Sequence, residues 1–148
     1  MKRPLITIAA LISLAGCGAA SPRCESNDAQ SLVEALKPRE QFKAMLTMAV
    51  ERTQTAGMAA ARDGSTAPQK LAKAVDEAVE RHGAEWERNL VLSWQALSAA
   101  EVEQVCTALQ KGDQETFMRF TQRVGPEVQS RSEPLLRRAA VEVLESVW

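Results

Sequence analysis

The chain has 148 residues, 45% of them hydrophobic and 25% charged, enough for one globular domain and unlike a disordered or collagenous composition. Aromatics make up only 4%, with no Tyr, whereas Ala, Leu, Val, Glu and Gln abound, which favours helices over a sheet. A formal charge of −1 and a pI near 5.9 exclude a strongly basic nucleic-acid surface, and a single His with three Cys leaves little for a metal site.

The chain opens with Lys2 and Arg3, then an apolar run over residues 5–15 interrupted only by Thr7 and Ser13. As a helix that run is about 16 Å long, half of a hydrocarbon core of about 30 Å, so it fits a secretory leader rather than a stable span. It ends in Leu14-Ala15-Gly16-Cys17. This motif resembles the bacterial lipobox, and the resemblance implies cleavage before Cys17 and acylation of its sulfur. A general signal-peptidase cut after Gly18-Ala19-Ala20 is the competing reading of the same leader. Three acyl chains exceed the two signals that stable anchoring needs. Gly18, rather than Asp, follows the cysteine, and by resemblance to lipoprotein sorting this implies the outer membrane, with the body facing the periplasm. Loss of residues 1–16 removes Lys2 and Arg3 from the 18 basic residues against 19 acidic ones, for a net charge near −3. A body of that sign is poorly suited to clamping anionic headgroups.

The expected organisation is a leader over residues 1–16, a lipidated tether over 17–27 and a helical domain over 28–148. With Cys17 lipidated, Cys24 and Cys106 are left as an even pair, and an oxidising compartment favours a disulfide between them. Such a bridge closes a loop of roughly 80 residues and stabilises by a chain entropy of about 4 kcal/mol. Cys106 also lies at helical spacing with Val102, Val105 and Leu109, so a buried thiol is the alternative.

Beyond the tether the three-to-four apolar repeat is continuous. Ser26-Asn27-Asp28 offers an N-cap to a helix with Ala29, Leu32, Val33 and Leu36, stopped before Pro38. Pro38 opens a second helix with Phe42, Met45, Leu46, Ala49 and Val50 inward, expected to run to about Arg62. Asp63-Gly64-Ser65-Thr66 reads as a turn, and Pro68 as a first-turn proline. Leu71, Ala74, Val75, Ala78, Val79 and His82 define a third helix, with Gly83 as its expected C-terminal stop. Trp86, Leu90, Trp94 and Leu97 share the face of a fourth. Ser98 and Glu101 form a capping box for a fifth, which carries Val102, Val105, Cys106 and Leu109 and ends near Gly112. Asp113 caps a sixth, with Phe117, Phe120 and Val124, expected to close at Gly125-Pro126. A last segment bears Val128, Leu135, Ala139, Val143 and Val147, with Ser132-Glu133-Pro134 as a kink or restart. The predicted fold class is all-α, a compact bundle of about five to seven amphipathic helices.

Residues 86–120, with the amphipathic helices ahead of them, resemble the domain-of-unknown-function 2059 family of secreted or lipidated bacterial helical domains. The likeness rests on the capped start Leu97-Ser98-Ala99-Ala100-Glu101-Val102 and the apolar pair Phe117-Met118. Ala108-Leu109 stands in place of the family's aromatic pair, and Lys111-Gly112-Asp113 in place of its Ser-Pro-x-Gly corner. The resemblance implies no activity.

Chemistry-bearing motifs are scarce. There is no Gly-x-Ser-x-Gly elbow, phosphate-cradling Gly loop or His-Glu-x-x-His. His82 on an apolar face reads as a capping or half-buried structural residue, and metal ligation with Glu85 lacks further ligands. Glu77, Glu80, Glu85, Glu87, Glu101 and Glu103 read as a solvated surface, since residues two apart on a helix point to different faces. Met45, Met48 and Met58 read as gap-filling core, with Met48 off the main stripe. Arg131, Arg137 and Arg138 form a small solvated basic patch. Trp86 and Trp94 share a face, either as core anchors or as the wall of a partner groove, and Trp148 either tucks over the bundle end or projects as a further candidate contact. The expectation is a non-enzymatic, cofactor-free outer-membrane lipoprotein that acts as a protein-binding or envelope-assembly module in the periplasm. The alternative is an immunity or inhibitor lipoprotein that neutralises a periplasmic cell-wall-degrading toxin. An enzyme would need a cleft gathering His82 with a carboxylate and a hydroxyl.

Overall fold

A computed structural model describes residues 22–148. Within them the chain is all-α: α1 (Ala29–Ala35), α2 (Pro38–Glu51), α3 (Gln54–Asp63), a 3₁₀ turn (Gly64–Thr66), α4 (Ala67–Trp94), α5 (Ala99–Lys111) and α6 (Gln114–Val147). The candidate lipidation site Cys17 and the leader lie outside the described residues.

Short-range chemistry sets many of the boundaries. Asp28 accepts from the Ser31 N–H at 2.7 Å and starts α1. Lys37, left-handed at φ 53°, turns the chain into Pro38, which occupies the first turn of α2. The Ser98–Glu101 capping box is complete in both directions, Gly112 closes α5 at φ 70°, and the Asp113 carboxylate caps α6 on Thr116.

Three expected boundaries are corrected. The second helix does not reach Arg62. It ends at Glu51, and α3 restarts behind Thr53, whose hydroxyl donates to the Val50 carbonyl at 2.8 Å while accepting the Ala56 N–H at 3.1 Å. One side chain thus closes one helix and opens the next. Gly83 is not a stop, because it lies buried within the unbroken α4. Gly125-Pro126 does not close a helix either, since α6 continues through Pro126 and Pro134 to Val147. Both prolines are exposed. The carbonyls they leave without a partner, those of Gln122 and Ser130, belong to exposed residues, where water can satisfy them. The inner face carries Phe117, Phe120, Val124, Leu135, Ala139, Val143 and Val147 in one buried stripe. That burial offsets the local preference to stop.

α4 and α6, about 42 Å and 51 Å long, form the antiparallel spine. Their seam pairs His82 with Glu142, Glu85 with Arg138 and the Asn89 amide with the Arg131 carbonyl, so rising numbers on one helix meet falling numbers on the other. α2 packs on both, and α1 packs on α4 and α5. α3 sits at the end of the bundle where α4 begins and α6 finishes, while α5 links the opposite ends of these two helices.

Candidate functional site

The bundle offers two chemically distinct ends. At the α5 end, Cys24 and Cys106 are joined in a disulfide with Cα atoms 5.7 Å apart, so the buried-thiol alternative for Cys106 gives way to a bridge. Cys106 is buried and Cys24 half-buried, which fastens the segment ahead of α1 to the inner face of α5.

At the other end, Trp148 is 60% exposed, and the Arg62 guanidinium carbon lies 5.7 Å from the centre of its ring. Arg62 also donates to the main-chain carbonyls of Val147, at 2.8 Å, and of Trp148. A single α3 side chain therefore clips the end of α6. Asp63 binds both Arg62 at 2.9 Å and Lys70 at 3.0 Å, and these bonds hold its carboxyl far below the usual carboxylate range. Beside this clip lies an open groove of about 250 Å³, lined largely by the small side chains of Ala56, Ala60 and Ala67, with Leu71 and Val147. Met58, one turn before Arg62 on α3, is also exposed. Met58 is thus surface rather than gap-filling core; Met48 is exposed as well, while Met45 packs against the core. Arg62 carried no motif in the sequence. Only its spacing of four from Met58 hinted that the two share a face.

Trp86 and Trp94 take the place of core anchors rather than the wall of an exposed groove: both are buried, Trp86 to 2% exposure and Trp94 to 4%. Trp86 stacks on Phe42 with ring centres 4.7 Å apart, and Trp94 packs at a tilt on Phe117 at 6.3 Å. Of the three tryptophans named from the sequence, Trp148 alone reaches the surface.

His82 sits in mid-α4 rather than at a helix end, with Nε2 donating to Glu142 at 2.8 Å. Arg81 approaches the same carboxylate oxygen at 3.5 Å. The His82 hydrogen bond, reinforced by charge, draws the Glu142 carboxyl below its ordinary range. No hydroxyl or thiol among the described residues hydrogen-bonds to His82, so this dyad lacks a nucleophile at its other side. Glu85 and Glu87 diverge around Trp86 as the helix period requires, Glu85 to Arg138 and Glu87 to Arg39, each at 2.8 Å. The basic patch is neutralised in place: Arg131 pairs with Glu127 at 3.2 Å, Arg137 with Glu133 at 2.8 Å and Arg138 with Glu85.

Among the described residues no group of three His, Cys, Asp or Glu is placed to hold a metal ion, and no helix is long and apolar enough to cross a membrane. No family model matches the chain, and no match was found among curated proteins or solved structures.

Proposed function

We propose that this protein is a non-enzymatic outer-membrane lipoprotein, acylated on Cys17, whose helical body faces the periplasm and binds another envelope protein. The observation that carries this reading is Leu14-Ala15-Gly16-Cys17 placed directly behind a basic start and a short apolar run. The Cys24–Cys106 bridge supports an oxidising compartment. It also supports an arrangement in which the tether leaves from the α5 end. The seven residue steps from Cys17 to Cys24 span at most about 25 Å. α4, about 42 Å long, separates the end of the bundle where α5 begins from the end that carries Trp148. Trp148, Met58 and Arg62 form the contact surface in this reading, because the other large aromatics are spent on the core.

Metabolic labelling with a palmitate analogue tests the anchor. Wild-type chain incorporates label and partitions with membranes, and Cys17→Ser loses both; labelling that survives the substitution overturns the proposal. Affinity capture from detergent-solubilised envelopes, comparing wild type with Trp148→Ala, tests the contact surface. Recovery of a wall hydrolase as the partner would turn the assembly role into an inhibitory one.

A further inference from the structure

Residues 22–27 make no backbone–backbone hydrogen bond among the described residues. Their polar hold on the body begins at Ser26, whose N–H and hydroxyl meet Ser31 Oγ at 3.3 and 2.7 Å, with a further bond to Asp28 at 3.0 Å. Upstream of Ser26, the covalent link from Cys24 to α5 is the fastening. Each helix at that junction also has holds of its own besides the bridge. α5 has its own capping box and buries Val102, Val105 and Leu109, and α1 has the Asp28 cap and buries Leu32 and Val33. The two sulfurs also differ in access, since Cys24 is half-buried and Cys106 is only 3% exposed.

We propose that the Cys24–Cys106 bridge is a latch opened by a protein dithiol, which attacks at Cys24 and frees the leading segment while the six helices persist. The partner's thiolate attacks Cys24 Sγ, the S–S bond breaks, and the electron pair leaves on Cys106 Sγ, which takes up a proton. The partner's second thiolate then attacks the mixed disulfide and expels Cys24 as a thiolate, which is protonated in turn. Two electrons and two protons have passed to the bridge, and the partner ends as a disulfide. Cys106 is left as a buried thiol among apolar neighbours, an environment that suits it. Opening the latch moves the point of attachment from Cys24 to Ser26, where the bonds to Ser31 and Asp28 hold, and lengthens the leash by two residues, at most about 7 Å. This gain in reach rests on the acylation of Cys17 proposed above, whereas the latch itself does not.

The test uses the oxidised chain carrying Cys17→Ser, so that its outcome is independent of acylation. It is mixed with a dithiol oxidoreductase whose second active-site cysteine is replaced by Ser, and the trapped adduct is mapped by mass spectrometry. In parallel, dithiothreitol reduces the bridge while tryptic cleavage after Arg23, amide exchange over residues 22–28 and far-ultraviolet dichroism are followed. The latch requires an adduct on Cys24, cleavage after Arg23 that rises about tenfold or more as the segment opens locally, and an unchanged helical signal. An adduct on Cys106, no adduct at all, cleavage that does not respond to reduction, or helix loss on reduction each overturns it; in the last case the bridge is a staple for the fold.

Discussion

Arg39 of α2 lies flat across Gly83 of α4, so close that a Cβ at position 83 would stand 3.0 Å from the guanidinium carbon. The same guanidinium bonds Glu87 at 2.8 Å and approaches Glu80 at 4.0 Å, one turn to either side of the glycine. Gly83 therefore serves as a flat seat for a cation on a continuous helix.

That relationship makes Gly83→Ala nearly neutral. Alanine gains about 1 kcal/mol of helix propensity, and shifting the guanidinium against its bond to Glu87 offsets most of that gain. Gly83→Leu pushes Arg39 off its seat and overfills a buried position, at a cost of roughly 1–3 kcal/mol. Urea unfolding of the two variants checks this. A helix-terminating glycine would show the reverse sensitivity, with alanine itself costly.

Pro126→Ala stabilises the protein by about 1–2 kcal/mol. The substitution restores an N–H to an unbroken α6, and part of the gain is offset by a freer unfolded chain. The thermal midpoint is the readout. A fall in midpoint would mean that the proline shapes a real break.

The tryptophans separate by role. Trp86→Ala removes the ring stacked on Phe42 and costs about 3–5 kcal/mol in denaturant unfolding, the usual range for a buried aromatic. Trp148→Ala costs less than about 1 kcal/mol, because its ring is largely in water and its cation–π contact is exposed. If Trp148→Ala unfolds the domain, the C-terminal clip is structural and the proposed contact surface is wrong.

Acid weakens the fold in a defined direction. The carboxyls of Glu142, Glu101, Asp28 and Asp113 are all held low, by hydrogen bonds from His82, from the Ser98 N–H and Arg123, from the Ser31 N–H, and from Thr116 respectively. In the unfolded chain they bind protons more readily, so their contribution is present above the ordinary carboxylate range and fades as pH falls through the lowered folded values, from about pH 5 downward. The urea midpoint, measured stepwise from pH 7 to 3, should drop in that window, and Glu142→Gln should make the drop shallower. A midpoint that climbs on acidification contradicts the assignment.

The contrast between local and long-range information is visible residue by residue. Asp28, the Ser98–Glu101 box, Gly112 and Asp113 were legible because capping is a contract between residues three or four apart. The apolar stripes, and hence the all-α class, were legible for the same reason: burial repeats with the helix period. The lipobox expectation likewise rests on consecutive residues, and an even pair of cysteines made the bridge a fair expectation. Local reading failed where a distant element supplied the deciding energy. Gly83 stays within its helix because Val79, Trp86 and Leu90 keep the same face buried on either side of it. Pro126 and Pro134 continue theirs because one face of α6 is buried against the core while the opposite face meets water. Thr53 divides two helices by chemistry that is itself local, but the apolar pattern runs unbroken across it and carries no sign of the division. Trp86 and Trp148 are the same residue type with opposite fates. Which one meets solvent depends on Phe42, packed from α2, and on Arg62, reaching from α3 to the end of α6. Those partners stand 44 and 86 residues away in the chain, and only folding brings them within a few ångströms.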